Sequence, residues 1–230
     1  MVVTVDGPAG SGKSSASRLL ARELGFAFLD TGALYRAIAL AAQRAGMQDA
    51  GEEELDAWLE EVPLEAKSRE GCFLVLLDGQ DVEPFIRNEV ISQLASRLSA
   101  LAPVRGHLMG LQRAAGQAGD LVAEGRDMGT VVFPRAEAKF FLTASENERA
   151  RRRWRELAQR GQPAELDEVL ADLRLRDRRD SQRSLSPLRP AEDAVVLDTT
   201  GHGLPEVVEI LAQAVRGRQW VLAQKANETL

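Results

Sequence analysis

Eight consecutive residues, Gly7-Pro8-Ala9-Gly10-Ser11-Gly12-Lys13-Ser14, carry the spacing G-x-x-x-x-G-K-[ST]. In such a run the glycines let the main chain turn tightly enough for successive N–H groups to converge on an anion. A helix opening directly behind the run adds the partial positive charge of its N-terminus. The lysine can reach the β and γ phosphates of a nucleoside triphosphate, and the hydroxyl after it can hold Mg²⁺. Lys13 is therefore the expected phosphate contact and Ser14 the expected metal contact, with Ser15 beside them. The chemistry to expect is phosphoryl transfer from ATP, with Mg²⁺ as cofactor.

That chemistry needs a strand before the loop and a helix after it. Val2 to Val5 reads as the strand, and about Lys13 to Leu24 as the helix. Further short apolar runs lie at Phe26 to Leu29, Leu121 to Ala123, Lys139 to Leu142 and Ala194 to Leu197, with helical patterns between them. Thr31 to Gly46 is one such helix, ending on a glycine, and another begins near Leu204-Pro205. Five buried strands alternating with helices predict an α/β fold, a doubly wound parallel sheet of the P-loop type, as one domain over 1–230. Two stretches interrupt the rhythm. Residues 62–87 contain Asp78-Gly79, a hairpin signal, and predict a small antiparallel insertion. Residues 145–183 predict two polar, arginine-rich helical segments joined by Arg160-Gly161-Gln162-Pro163, too poor in apolar residues for a core element and so a solvent-exposed flap.

Charge narrows the function classes. The net charge of the 230 residues is −6, yet residues 149–183 carry eleven arginines, while residues 49–61 are strongly acidic. A locally basic segment in an acidic chain suits a small anion better than a nucleic acid, so no nucleic-acid partner is expected. No apolar run approaches the length of a membrane span, and Met1 leads straight into Val2 without a basic segment, so a cytoplasmic protein is expected. The lone Cys72 predicts a buried, inert thiol, and His107 and His202 are too few and too far apart for a zinc site. There is no guanine-reading N-K-x-D run, which argues against a GTPase.

Three further stretches, "DTGALYR" (Asp30 to Arg36), "EGRDMGTVVFP" (Glu124 to Pro134) and "RDRRDSQRSLSPL" (Arg176 to Leu188), resemble the signatures of bacterial cytidylate kinases. The resemblance runs from the glycine-rich loop to "VLDTT" (Val196 to Thr200). It implies ATP and CMP or dCMP as substrates, a monomer, an acceptor-binding part over about 31–118, and a lid over about 145–163. It assigns Thr31 and Arg36 to the acceptor nucleotide, with Asp30 or Thr31 as the N-cap of their helix. It places Ser96 and Arg105, in the helical stretch 88–115, on the cytosine edge. Ser92 and Ser99 lie close by, but Ser96 stands nine residues before Arg105, as the family pattern has it. Arg126 resembles an acceptor-phosphate arginine and Asp127 a cytosine contact, since a carboxylate accepts from the 4-amino group. Arg176, Asp180 and Arg183, at i, i+4 and i+7 of a helix, suit phosphate and ribose hydroxyls. Glu124 stands where many relatives carry aspartate; it can hold a metal-bound water or pair with an arginine. Among Arg149, Arg151, Arg152 and Arg153 of the lid, Arg152 is taken for ATP, without a firm choice between it, Arg149 and Arg153.

Lys13, Arg126 and Arg183 are the expected catalytic residues. No strong general base is called for, because an acceptor phosphate oxygen is already anionic, and transfer is mostly positioning and charge neutralisation. The alternatives are a P-loop kinase for another small acceptor, such as UMP, AMP or a hydroxy acid, and a nucleic-acid-stimulated ATPase using the arginine-rich segment.

Overall fold

A computed structural model of the chain describes residues 1–162 and 164–228. The five expected parallel strands are present: β1 (Val2–Asp6), β2 (Ala27–Asp30), β6 (Leu121–Gly125), β7 (Ala138–Thr143) and β8 (Val195–Asp198). The expectation that all five are buried fails for β8, which is the edge strand beyond β7 and leaves Val195 and Val196 exposed. The insertion contributes β3 (Leu64–Arg69), β4 (Cys72–Leu77) and β5 (Gln80–Asp81). The sheet runs β3-β4-β2-β6-β1-β7-β8, with β5 on β4. The antiparallel insertion is thus continuous with the main sheet, joined through Phe28 opposite Cys72. Cys72 is half-buried there, less enclosed than expected. Both insertion turns place two successive residues at positive φ, Glu70-Gly71 (50° and 78°) and Asp78-Gly79 (52° and 72°). That backbone matches the right-handed twist of paired strands.

The helices are α1 (Lys13–Leu24), α2 (Thr31–Ala45), α3 (Glu52–Leu59), the single turn α4 (Glu83–Ile86), α5 (Glu89–Leu98), α6 (Ala102–Gln117), α7 (Glu146–Gln159), α8 (Leu166–Gln182) and α9 (Leu204–Glu228). They cover both faces of the sheet. Leu121 and Ala123 of β6 join one core with α2, α3, α5 and α6, whereas Val122 points into the other with α1 and α9. A strand buried on both faces reads as a continuous apolar run, which is why β6 was recognisable without alternation. The expected acidic run forms α3, with Glu52, Glu53 and Glu54 in its first turn, where they complement the helix dipole.

Two expectations about helices need correction. The stretch 88–115 is two helices: α5 ends at Leu98, and α6 restarts at Ala102 with Pro103 in its first turn, where a missing N–H costs no hydrogen bond. The segment 145–183 is more than a polar flap. Ala150, Leu157, Val169 and Leu173 of α7 and α8 close over Ala9 of the glycine-rich loop as a small core of their own. The expected lid boundary at Pro163 lies outside the described residues. Among the described residues no helix is long and apolar enough to cross a membrane.

Strand β1 lies between β6 and β7, with the chain leaving it toward β2 on one side and returning to β7 on the other. Such a switch point opens a crevice at the carboxyl ends of the strands, and there the candidate residues gather.

Candidate active site

The glycine-rich loop leaves β1 under close constraint. A Cβ on Gly7 would stand 2.1 Å from the Leu142 carbonyl oxygen. Gly10, at φ +75°, has the Arg149 carbonyl 2.9 Å from where its Cβ would be. Lys13 opens α1, is buried, and donates from Nζ to the Pro8 carbonyl at 3.1 Å. Burial, and next the neighbouring Arg126 charge, pull its ammonium down to about 7. Ser14 donates its hydroxyl to Glu124 Oε2 at 2.8 Å. The Glu124 carboxyl is buried and held above its ordinary value, first by burial and then by Asp30.

The three candidate lid arginines separate. Arg149 is buried beneath the loop, donating to Ala9 and Ala144 carbonyls and pairing with Asp177 at 2.6 Å. Arg152 lies over the loop, against the Ser11 carbonyl at 3.4 Å and the Thr199 hydroxyl at 2.9 Å. Arg153 turns toward α5 and pairs with Glu89 at 2.8 Å. Arg151 is exposed.

A cavity opens beside the loop. All the expected acceptor residues line it: Thr31, Arg36, Ser96, Arg105, Arg126, Asp127, Arg176, Asp180 and Arg183, together with Lys13 and Ser14. Ser92 and Ser99 line it too, so the structure brings all three nearby serines to its wall. Asp30 is the N-cap of α2, accepting from the Ala33 amide at 3.0 Å with Oδ1. Its Oδ2 takes Arg36 at 3.0 Å and Arg87 at 2.8 Å. Burial opposes the Asp30 charge, but Arg36 and Arg87 outweigh it and hold the carboxyl well below the usual range. Thr31 donates to the Glu124 carbonyl at 2.6 Å, tying α2 to the end of β6. Arg126 reaches Asp180 at 2.8 Å, and this pairing outweighs burial and raises the guanidinium above its ordinary value. Burial, and then Arg126, lower Arg176 to about 10. Arg183 lies one residue past the end of α8, in extended backbone, and not on the helix as expected; its side chain still reaches the cavity.

At the far end Arg105 donates to Asp127, both almost fully buried, and Arg183 Nη2 stands 3.9 Å from the other Asp127 oxygen. The Arg105 guanidinium also lies 5.7 Å from the centre of the Tyr35 ring, which faces the same cavity. Six cationic side chains line the cavity against four carboxylates, a surplus that suits an anion. Ser96 Oγ, Arg36 Nε, Arg176 Nε and Arg183 Nη2 are buried without a hydrogen-bond partner among the described residues. Buried donors are nearly always satisfied, so four unmet ones around one cavity mark a place built for a polar ligand. Sequence reasoning missed Asp30 as an ion-pair hub, and it missed Tyr35, Arg87 and Thr199. Asp30 and Tyr35 lie within "DTGALYR" and Thr199 within "VLDTT", which was their available signal, whereas Arg87 lies in none of the quoted stretches.

A glycine-rich loop between β1 and α1, a crevice at the switch point and a cationic cavity beside them define a P-loop phosphotransferase. A family model described as cytidylate kinase matches residues 3–217, nearly the whole chain. A cytidylate kinase of Syntrophotalea carbinolica is 47% identical over 221 residues, covering 96% of this chain and 94% of the relative. One of Geobacter sp. (strain M21) is 49% identical over 221 residues, covering 95% and 94%. The chain belongs to the cytidylate kinase family. An uncharacterised protein of Eubacterium ventriosum of known crystal structure shares the fold alone, with a TM-score of 0.50 at 9% identity, covering 94% of this chain and 98% of the other.

Proposed function

We infer that the protein transfers the γ-phosphoryl group of ATP to the phosphate of CMP or dCMP, giving ADP and CDP or dCDP. The observation that carries the acceptor reading is the Ser96–Arg105–Asp127 group on the wall of the cavity. Cytosine presents acceptors at O2 and N3 and a donor at its 4-amino group. Ser96 and Arg105 supply donors and Asp127 an acceptor, the complementary set. Uracil would set its O4 acceptor against the carboxylate, which disfavours the UMP alternative.

The chain's own residues do the positioning. Arg36, Arg126, Arg176 and Arg183 hold the acceptor phosphate, and Asp180 the ribose hydroxyls. The loop amides, Lys13 and Arg152 hold the donor phosphates. Lys13, Arg126 and Arg183 neutralise charge on the transferring group. Ser14 and Glu124 fit Mg²⁺, because they offer two hard oxygens side by side on the cavity wall. Among the described residues no three His, Cys, Asp or Glu side chains cluster as a metal cage. Mg²⁺ usually takes one or two protein oxygens and completes its shell with water and phosphate. When bound, it would neutralise charge on the donor phosphates. The local arginine cluster in a chain of net charge −6 supports a small anionic ligand over a nucleic-acid partner, and the protein is read as a cytoplasmic monomer. ADP release measured across CMP, dCMP, UMP, AMP and GMP tests the assignment. Highest kcat/KM with CMP or dCMP is expected; preference for another acceptor, or stimulation by RNA or DNA alone, overturns it.

A further inference from the structure

Asp127 occupies the N-cap position of a single π-helical turn, Met128–Val132, yet its side chain caps nothing. An aspartate there ordinarily accepts from the first free amides of its own turn. Here the Gly129 amide, which an N-cap carboxylate could take, goes instead to a residue 123 positions away in sequence, which also takes the Met128 amide ahead of it. Asp6, the last residue of β1, accepts from the Met128 amide with Oδ1 and from the Gly129 amide with Oδ2, both at 2.8 Å. Asp6 stands opposite Gly125 in the parallel register of β1 and β6, so the strand pairing itself aims it at the turn.

We propose that Asp6 is a positioning residue for base choice: by capping the turn in place of Asp127, it leaves the Asp127 carboxylate free to face Arg105 and the acceptor base. The proposal rests on the reading of Asp127 as a base contact. Two observations support it. The turn packs closely on β1 and β7, since a Cβ on Gly129 would meet Thr4 Oγ1 at 3.0 Å and Lys139 Cδ at 3.2 Å. And a carboxylate is an expensive filler here: burial pushes Asp6 up to about 6, against the two amides that hold its charge. A residue needed only to fill the core at the end of a strand would be apolar.

The test begins with the wild-type protein, in which the Met128 and Gly129 amides must be protected from hydrogen exchange, with and without CMP. Rapid exchange at both overturns the proposal. In Asp6→Asn one oxygen remains an acceptor, while the new NH₂ faces the second amide donor to donor. Asp127 is then drawn toward its own turn. The ratio of kcat/KM for CMP over UMP should fall about 10-fold, the effect of one lost polar contact. KM for CMP should rise while KM for ATP holds. In an Asp127→Asn background Asp6→Asn should leave the ratio unchanged. A structural stitch alone would lower both acceptors by the same factor in either background, and that result overturns the proposal. If Asp6→Asn does not fold, Asp6→Ser, which keeps one acceptor oxygen, is read the same way. If Asp127→Asn alone leaves the ratio unchanged, the base reading falls and this proposal with it. If only the Asp6 variants leave it unchanged, the base reading stands and Asp6 is structural.

Discussion

Ser14 and Glu124, 110 positions apart in sequence, share a hydrogen bond of 2.8 Å where the glycine-rich loop meets the end of β6. The hydroxyl and the carboxylate are the two protein oxygens proposed for Mg²⁺. A glutamine at 124 would still accept from Ser14 but would bring no charge to the ion. Glu124→Gln should therefore fold and raise the Mg²⁺ concentration for half-maximal activity about 10- to 100-fold, the range for loss of a metal's supporting group. Glu124→Asp should hold the metal more nearly as the wild type does. A Mg²⁺ titration unmoved by Glu124→Gln removes the residue from the metal site.

The low value of Lys13 makes a pH prediction. Burial and Arg126 hold its ammonium at about 7 in the protein alone, so at pH 8 much of it is neutral. A triphosphate placed against it favours the charged form. ATP binding should take up close to one proton at pH 8 and less as pH falls below 7, where the lysine is already charged. Calorimetry in buffers of different ionisation enthalpy measures this. Lys13→Ala should abolish the lysine's uptake and lower turnover on the order of 10³-fold, with the fold retained. Uptake that persists in the variant assigns the proton elsewhere.

The hairpin of α7 and α8 should show graded exchange. At its base Arg149 is buried against the loop, and Arg152 spans Ser11 and Thr199. Toward its tip Arg153 pairs with Glu89 of α5, and Arg160 donates to the carbonyl of Arg87, between α4 and α5, at 3.3 Å. A cleft lined by Val90, Leu157, Val169 and Arg176 lies between α5 and the hairpin. Few buried contacts mean cheap local opening. Amides of 153–162 should exchange faster than those near Arg149 in the free protein and slow when ATP and CMP bind together. Equal protection in both states counts against a closing lid.

The donor site was legible because its chemistry is local: the loop, strand β1 and helix α1 are consecutive in the chain. The acceptor site was legible only as motifs, since Arg36, Arg105, Asp127 and Arg183 come together through tertiary packing. The break between α5 and α6 escaped because the apolar pattern continues through Leu98 and Leu101, and only Pro103 signals a restart. The core of the α7–α8 hairpin escaped because four apolar residues among many arginines look too few, until Ala9 of the loop completes the cluster. Asp6 gave no signal at all, because a carboxylate at the end of a strand takes its meaning from the turn it faces.

Base choice is the sharpest consequence of the acceptor site. Asp127 is buried and already paired with Arg105. Cytosine's 4-amino group would add a charge-assisted hydrogen bond to that carboxylate, whereas uracil's O4 would meet it as a second acceptor. Sites built on one such bond reject the wrong partner by up to roughly 10⁴-fold. Asp127→Asn keeps the size and can still accept from Arg105, but it can also turn an amide donor toward O4. It weakens a buried ion pair as well, so some loss of stability and of efficiency with both acceptors is expected, since breaking such a pair outright costs about 3–5 kcal/mol. The informative quantity is therefore the ratio of kcat/KM for CMP over UMP, in which a shared loss cancels. That ratio should drop by about 10²-fold, with a relative gain for UMP. If Asp127 served only to hold Arg105, both acceptors would suffer equally and the ratio would stay where it was. An unchanged ratio removes Asp127 from base recognition and leaves Ser96, whose buried hydroxyl has no partner among the described residues, and Arg105 as the groups that choose the base.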